Sequence, residues 1–455
     1  MNAPVVVHIS ECFIKPQYAP KESEQPFYLM PWDLALLSTH YIQKGLLYAK
    51  PPQAKKDEHF MQALLNRLKS TLSLALVHFY PLAGRLKTVK AENPASCLVY
   101  VDCNGSPGAK FIYATLDLTI SDILSPTDVP SIVQSFFDHD RAVNHDGHTM
   151  SLLSIQVTEL VDGVFLGCSM NHCLGDGTSY WHFFNMWSEI FQAQGKSTNS
   201  FSRPPIFKRW FPEGHGPIFN LPYTNPDEFI SRFEAPQLRE RVFHFSAESI
   251  AKLKAKANAD CNTSKISSFQ SLSALVWRSI TRVRNLLPDQ ITTCRLAANS
   301  RSRSDPPLLE NYFGNAVYPI RGFTTASELL GHDLGWAAWK LHEAVVDYDD
   351  KAVRVLLDDW LEGGIQKVIP FEKLGKSHYY PSSGSNNKYG CEFGMGKAVA
   401  LRSGYANKFD GKVTCYPGHE GGGSIDLEIC LKPDFMCALE SDQEFIQASS
   451  FNQPV

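Results

Sequence analysis

One stretch of the sequence decides the fold: Val164-Phe-Leu-Gly-Cys-Ser-Met-Asn-His-Cys-Leu-Gly-Asp-Gly177. Its first seven residues are apolar or small, which is typical of a strand buried on both faces. Four aromatic residues then recur at helical spacing, namely Tyr180, Phe184, Trp187 and Phe191. This spacing predicts a helix from 178 to about 194. The loop that contains His172 and Asp176 is therefore expected on a turn from a strand to a helix.

Strand and helix patterns alternate outward from this turn. Residues 151–157 and 164–170, separated by Asp162-Gly163, predict a hairpin that leads into the His172 loop. Other strands are predicted at 97–103, 110–115, 241–245, 293–298, 397–402, 411–416 and 424–431. Other helices are predicted at 58–76, 267–284, 326–346 and 351–362. Because the two kinds of element are interspersed, the sequence predicts an α/β fold.

Length and composition predict more than one lobe. The chain has 455 residues, which exceeds the usual limit of a single hydrophobic core. Between 195 and 236, prolines are frequent among Gly, Ser and Asn, and periodicity is weak, as in a connecting segment. We therefore predict an N-terminal lobe over 1–195, a crossover linker over 196–236 and a C-terminal lobe over 237–455.

Charge and cysteine content limit the classes of binding partner and the cellular compartment that we expect for this protein. The chain has 43 Lys and Arg against 47 Asp and Glu, so bulk charge favours neither nucleic acid nor an anionic membrane. No apolar stretch approaches the ~20 residues of a spanning helix, and the N-terminus lacks a signal-peptide pattern. The 11 cysteines form no Cys-x-x-Cys pair, so neither disulfides nor a zinc site is indicated. We expect a cytoplasmic protein with no membrane, nucleic-acid or metal partner.

His172 is the main candidate for a catalytic residue. An imidazole that titrates at about pH 6.5 is largely neutral in the cytosol and can accept a proton as a general base. Asp176 could orient that ring directly, as in a triad, or brace the loop through an arginine. In the alternative without catalysis, His172 is a buried histidine bonded to a carbonyl, and Asp176 only caps the next helix.

Two other groups suggest chemistry more weakly. Cys173 stands beside His172 and could be a thiol nucleophile, but nothing nearby marks a lowered thiol pKa, so a core-facing cysteine is expected. The run from His139 to His148 resembles a metal-ligand cluster but has no matching second cluster at zinc spacing. We interpret it as an exposed loop.

Ordered motifs along nearly the whole chain resemble those of the plant BAHD acyltransferases. They are Tyr80-Pro-Leu-Ala-Gly-Arg85, Asn171-His-Cys-Leu-Gly-Asp-Gly177, Ala298-Asn-Ser-Arg-Ser-Arg303 with Asn311-Tyr-Phe-Gly-Asn315, and Glu392-Phe-Gly-Met-Gly396. The fourth motif differs from the family's Asp-Phe-Gly-Trp-Gly at two positions, Glu392 and Met395. In this respect the chain resembles a branch of the family that has a variant of this motif. The resemblance implies two α/β lobes of the chloramphenicol acetyltransferase type, joined by a long crossover, with a solvent channel between them.

The same resemblance implies an activity and its site. Members of this family transfer an acyl group from a coenzyme A thioester to a small-molecule hydroxyl or amine in plant specialised metabolism. His172 would remove the acceptor proton in a ternary complex, while Asp176 would point away from the substrate and pair with Arg301. The resemblance further implies a monomer, with acyl-CoA as a co-substrate and no permanently bound cofactor.

We also predict which residues bind coenzyme A, and two other activities remain open for this pocket. Lys265, Ser267 and Ser268 stand at a predicted helix start, where basic groups and amide donors favour phosphate, and are predicted to bind coenzyme A. The alternative activity is a BAHD-like lyase that promotes elimination in the same pocket without coenzyme A. A third alternative is a non-catalytic binding protein that retains the loop.

Overall fold

A computed structural model of the protein describes residues 4–55, 57–193, 203–211, 216–363, 367–371, 378–382 and 390–449. Strands and helices are interspersed along the chain, which confirms the predicted α/β class. Within these ranges, no helix has both the length and the apolar character that crossing a membrane would need.

A six-stranded sheet carries the strand that leads into the His172 loop. In order across this sheet, the strands are β1 (Val7–Ile14), β6 (Ala109–Thr115), β7 (Leu153–Glu159), β8 (Gly163–Met170), β3 (Ile42–Ala49) and β13 (Ala400–Ser403). Strands β7 and β8 pair antiparallel, as the predicted hairpin requires. Every residue of β8 is buried. This explains why its sequence is a continuous apolar run instead of an alternating one.

A second six-stranded sheet is built from the other half of the chain. In order across it, the strands are β11 (Val317–Thr325), β10 (Ile291–Asn299), β12 (His378–Ser382), β14 (Lys412–Pro417), β15 (Ile425–Leu431) and β9 (Arg239–Phe245). A small sheet contains β2 (Phe27–Tyr28), β5 (Ala95–Asp102) and β4 (Arg85–Glu92). The two large sheets give the protein its two lobes.

Helices cover these sheets. Those of the first half are α1 (Pro31–Leu34), α2 (Phe60–His78), α3 (Ile120–Leu124) and α4 (Gly177–Gln192). Those of the second half are α5 (Ala247–Asp260), α6 (Ser268–Val283), α7 (Ala326–Gly331), α8 (Leu334–Val346), α9 (Asp350–Glu362), α10 (Pro433–Leu439) and α11 (Gln443–Ala448). Helix α4 begins directly at the end of the His172 loop.

Each large sheet has its own hydrophobic core. Leu72 of α2 and Trp187 of α4 are fully buried in the first core with Leu166 of β8. Trp277 of α6 and Leu427 of β15 are buried in the second. The cores of the two large sheets are separate, as expected for two α/β lobes in a chain of this length, and a third, smaller cluster includes further residues of the first sheet.

The second half also contributes to the first lobe. Strand β13 pairs antiparallel with β3, with Leu401 opposite Leu46. Phe393 and Met395 are buried in the first core, where Phe393 lies 4.7 Å from Trp187 between ring centroids. Residues 390–403 therefore complete the N-terminal lobe although they belong by sequence to the predicted C-terminal one. The limits 1–195, 196–236 and 237–455 stay a prediction.

The crossover has the character that its composition predicts. In the described parts of 196–236, its regular structure is one 3-10 turn at Pro226–Glu228 and isolated bridges. Leu221 bridges to Cys97 in the first half, and Ile206 bridges to Tyr312 in the second. The crossover therefore contacts both halves of the chain.

Two expectations about elements are wrong. The helix predicted over 326–346 is divided into α7 and α8 because Asp333 caps the second of them, accepting a hydrogen bond from the Trp336 amide at 2.9 Å. The run from His139 to His148 is a connection, as predicted, but parts of it are buried instead of exposed. Nε2 of His139 donates to the Ser151 carbonyl at 2.9 Å, and the Asn144 side chain is fully enclosed.

Candidate active site

The His172 loop is a tight turn between β8 and α4. Gly175 is required for its close approach to the helix, because a Cβ there would lie 2.5 Å from Cβ of Ser179. Asp176 caps α4, and its Oδ1 accepts hydrogen bonds from the amides of Thr178 and Ser179, both at 3.0 Å. The turn therefore fixes the His172 backbone relative to the first turn of the helix.

His172 is half-buried and lines a cavity of about 290 Å³. The wall of this cavity includes residues from both large sheets, among them Lys44 of β3 and Lys412 of β14. Its lining also includes several aromatic side chains, namely Trp32, Tyr180, Trp181, Tyr318, Trp360, Phe371, Phe409 and Tyr416. The imidazole therefore faces a space between the two lobes that can hold a small molecule.

The electrostatic surroundings of His172 favour its neutral form. Burial is the main cause that lowers its pKa, and the positive charge of Lys412 adds to this, whereas the Asp176 carboxylate opposes it. Nδ1 of the ring has no hydrogen-bond partner among the described residues. A neutral imidazole with a lowered pKa can accept a proton at neutral pH.

Asp176 is directed toward Arg301, the arginine that the sequence analysis matched to it. Arg301 donates from Nη1 to Oδ2 at 2.8 Å and from Nη2 to Oδ1 at 3.0 Å. The Ala316 amide donates to Oδ2 at 3.0 Å. Burial alone would raise the pKa of Asp176, but the charge and hydrogen bonds of Arg301 hold it below the usual range. Within the described chain, the carboxylate makes no hydrogen bond to the His172 ring, so the geometry is a brace and a helix cap instead of a triad.

Two asparagines that sequence reasoning missed hold the His172 backbone. Oδ1 of Asn144 accepts from the His172 amide at 2.7 Å, and Nδ2 of Asn315 donates to the His172 carbonyl at 2.8 Å. Asn144 is 28 residues from His172, and Asn315 is 143 residues away. Asn315 ends one of the quoted motifs, which is the only signal in the sequence that could have marked it.

The second asparagine is held in turn by a buried ion pair. Asn315 Nδ2 also donates to Oδ1 of Asp33 at 2.9 Å. Oδ2 of Asp33 lies 3.4 Å from Nη2 of Arg209, and both side chains are almost completely buried. Because Arg209 belongs to the crossover, this connection links the crossover to the backbone of the catalytic candidate.

The residues predicted to bind coenzyme A are not brought together with His172. Lys265 and Ser267 are exposed, and Ser268 is half-buried at the first turn of α6. Ser267 caps this helix through a hydrogen bond from the Gln270 amide to its Oγ at 3.2 Å. None of the three lines the described wall of the His172 cavity. Their role in coenzyme A binding stays a prediction.

Two further candidates lie outside proton transfer. Cys173 is completely buried, and this burial raises the pKa of its thiol well above the usual range, which disfavours a thiolate nucleophile.

A possible metal-ligating group lies away from the cavity. It consists of His244, His419 and Asp426, whose ligand atoms lie within 4.8 Å of one another. Nδ1 of His244 and Oδ1 of Asp426 are 2.6 Å apart, and this hydrogen bond raises the pKa of His244. The pair therefore has the character of an ion pair.

Similarity to known proteins extends along nearly the whole chain. The family model described as Transferase family matches residues 5–446. An uncharacterised acetyltransferase of Arabidopsis thaliana is 36% identical, over 97% of this chain and 99% of that protein. The BAHD acyltransferase DCR of the same plant is 33% identical, over 96% of this chain and 92% of that protein. The structure of F. sporotrichioides TRI101 complexed with Coenzyme A and T-2 has a TM-score of 0.67 at 17% identity, over 93% of this chain and 99% of that one.

Proposed function

The chain belongs to the BAHD acyltransferases of the Transferase family, and on this premise we propose that it transfers an acyl group from coenzyme A to a hydroxyl or amine. The observation that carries the proposal is the position of His172 on the wall of the cavity between the lobes. In this proposal, a small-molecule acceptor and the thioester meet in that cavity and react in one ternary complex.

His172 acts as the general base. The imidazole takes the proton from the acceptor as its oxygen or nitrogen attacks the thioester carbonyl, and the coenzyme A thiolate leaves when the tetrahedral intermediate collapses. The burial that lowers the pKa of His172 supports this role, because the ring is then neutral when the acceptor enters. No covalent acyl-enzyme is needed, and the buried Cys173 thiol is not a nucleophile in this reaction.

Asp176 and Arg301 are positioning residues in this proposal. Their ion pair joins the loop before α4 to the segment after β10, and both side chains are 96% or more removed from solvent, with 3% and 4% exposed. A base held this way keeps its orientation without reorganisation during the reaction. This is the bracing alternative for Asp176 and not the triad alternative.

Coenzyme A is proposed as the carrier of the acyl group. The family assignment supports this, and the similar TRI101 structure contains coenzyme A. The relatives' names include shikimate, anthranilate and omega-hydroxypalmitate acyl transfer, so the acceptor varies within the family. The acceptor of this chain must therefore be inferred from its own cavity.

The test compares two histidine variants with the wild-type protein. Acyl thioesters are screened with an acceptor library, and mass spectrometry detects released coenzyme A and acylated product. His172→Ala should fold normally and lose about 10²- to 10⁴-fold in rate, the usual contribution of a positioned base. His8→Ala, which changes an exposed histidine on β1, is the matched control and should keep full activity. Wild-type turnover by folded His172→Ala would refute the proposal.

A lyase that uses the same base without coenzyme A gives a different result. Coenzyme A should raise the unfolding temperature of a transferase, because a ligand that binds the native state stabilises it. Elimination products formed in the absence of any thioester, together with no thermal shift by coenzyme A, would favour the lyase.

A further inference from the structure

Three lysines line the same cavity as His172. They are Lys44 on β3, Lys408 in the segment before β14, and Lys412 on β14, and we call them the lysine cluster. Lysine side chains rarely occur inside a protein without a specific reason, because burial of an ammonium group costs free energy. Three lysines on the wall of one cavity therefore indicate a specific role in binding.

Acidic groups compensate the lysine cluster only in part. Lys408 forms an ion pair with Glu240, which lies outside the lining, and Glu428 lies in the cavity wall and accepts a hydrogen bond from Ser403. Lys44 contacts the Tyr416 hydroxyl, which is a neutral group. In the described wall, the other carboxylate is that of Asp176, which is already paired with Arg301. Within the described part of the chain, the three lysines lie near two carboxylates, those of Glu240 and Glu428.

Burial disfavours the charged forms throughout the cluster, but Glu240 raises the pKa of Lys408 and Lys408 lowers the pKa of Glu428. Burial lowers the pKa of Lys412 to about 8, and repulsion by Lys44 contributes to the shift. Burial also lowers the pKa of Lys44. Burial raises the pKa of Glu240 to about 7, although the charge of Lys408 opposes this shift. An added anion would stabilise the protonated lysines.

The rest of the lining is suited to an apolar body. Trp32 and Tyr318 contribute to it, with ring centroids 5.6 Å apart, and Trp181 and Phe371 also contribute. Aromatic surfaces of this kind bind flat or aliphatic groups through burial of apolar area. The cavity therefore combines an apolar surface with a cationic group of side chains.

We propose that the lysine cluster binds a carboxylate on the acceptor, so that the acceptor is a small acid with an apolar body and a hydroxyl or amine for acylation. This inference rests on the proposed function for the acylation step. The carboxylate site itself can be tested by equilibrium binding, without any turnover. A carboxylate near Lys44 and Lys412 would form charge-assisted hydrogen bonds in a place of low polarity, where they are strong.

The test measures binding without turnover. Benzoate and benzamide are titrated into the full-length protein at pH 7 by calorimetry, since they have the same size and differ in charge. Benzoate should bind at least about tenfold more tightly, the ratio expected for one charged hydrogen bond. Phenyl phosphate serves as a third probe, because a preference for it over benzoate would assign the cluster to phosphate and overturn the proposal.

Variants locate the binding. Lys412→Met and Lys44→Met each keep an unbranched apolar side chain and should reduce the preference for benzoate to less than about threefold. Lys412→Arg keeps the charge and should retain it. Lys252→Met, on the exposed surface of α5, is the matched control and should behave as wild type.

Several outcomes would overturn the proposal. One is equal binding of benzoate and benzamide by the wild-type protein, and another is no saturable binding of benzoate; neither requires a variant to fold. A third is a preference that persists in both methionine variants. Failure of the proposed function is separate, because a folded His172→Ala protein that keeps its turnover would refute the general base and leave benzoate binding as it was.

Discussion

Arg301 holds the Asp176 carboxylate with two parallel hydrogen bonds that join elements 125 residues apart in the sequence. Asp176 ends the His172 loop, and Arg301 follows β10 of the second sheet. Arg301 Nη2 also donates to the carbonyls of Tyr312 and Gly314, at 3.2 and 3.1 Å. The position of His172 in one lobe is therefore fixed by groups from the other lobe.

Asp176→Asn should destabilise the protein strongly. The variant removes the negative charge and leaves the buried Arg301 guanidinium without its counter-ion. Removal of one partner of a buried pair costs about 3–5 kcal/mol in the free energy of unfolding. Urea denaturation followed by circular dichroism would measure the loss, and activity should fall with it because His172 loses its brace.

The matched control for this prediction is an exposed ion pair. Glu248 and Lys252 on α5 form one, with 77% and 75% of their side chains exposed. Glu248→Gln should leave the urea midpoint unchanged, because solvent screens such a pair. Equal midpoints for Asp176→Asn and the wild type would contradict the bracing role.

Asn144→Ala should lower catalytic activity by more than the accompanying loss of folding stability can explain. Oδ1 of Asn144 accepts a hydrogen bond from the His172 amide, and Nδ2 donates one to the Leu36 carbonyl at 2.8 Å. A displacement of the base by about 1 Å can cost about 10²-fold in rate, so kcat/KM should fall by about that factor. Steady-state kinetics would show the loss mainly in kcat.

Two further asparagine variants separate positioning from general damage. Asn144→Asp keeps the oxygen that accepts from His172 and should lose less activity than Asn144→Ala. Asn66→Ala, on the exposed face of α2, should have wild-type kinetics. The positioning role of Asn144 would be disproved by unchanged kcat in a folded Asn144→Ala protein.

Local patterns were sufficient to predict the elements around the site. The hairpin and α4 are confirmed because buried strands and an aromatic helix face leave clear periodicities. Strand β3 was missed because Gln43 and Lys44 interrupt its apolar run. Both polar residues line the cavity. Their place in a binding site therefore accounts for the polar interruption of an otherwise apolar strand pattern.

The support of the site could be predicted only where a motif marked it. The family resemblance pairs Arg301 with Asp176, whereas Asn144 stands in the run from 139 to 148, for which the sequence predicts an exposed loop. Contacts over 28 or 143 residues leave no local periodicity in a sequence. The addition of β13 to the first sheet has the same origin, because strand pairing across the chain depends on tertiary contacts.

The two glycines of the His172 loop should respond differently to alanine. In Gly175→Ala the new Cβ would lie 2.5 Å from Cβ of Ser179, so the loop must move and both stability and activity should decrease. A Cβ at Gly177 meets no atom within 4 Å. Gly177→Ala should therefore keep the unfolding free energy or raise it by up to about 1 kcal/mol. Thermal unfolding of the two variants would show this order, and the reverse order would contradict the close approach at Gly175.

The pH dependence of catalysis should report the surroundings of His172. Because burial lowers the pKa of this ring, the neutral base is present at neutral pH, and kcat/KM should fall only when the pH drops below the ordinary histidine value of 6.5. The folded protein resists this protonation more than the unfolded chain does. The free energy of unfolding should therefore also decrease as the pH falls below about 6.5.

The charge of Lys412 gives this prediction a specific test. Lys412 lowers the pKa of His172 by repulsion, so Lys412→Met should move the acid limb of kcat/KM to higher pH. Lys252→Met leaves the cavity intact and should keep the wild-type profile. If the acid limb of Lys412→Met stays in place or moves to lower pH, Lys412 does not act on the base through its charge. A limb centred above 6.5 in the wild-type protein would mean that burial does not control His172.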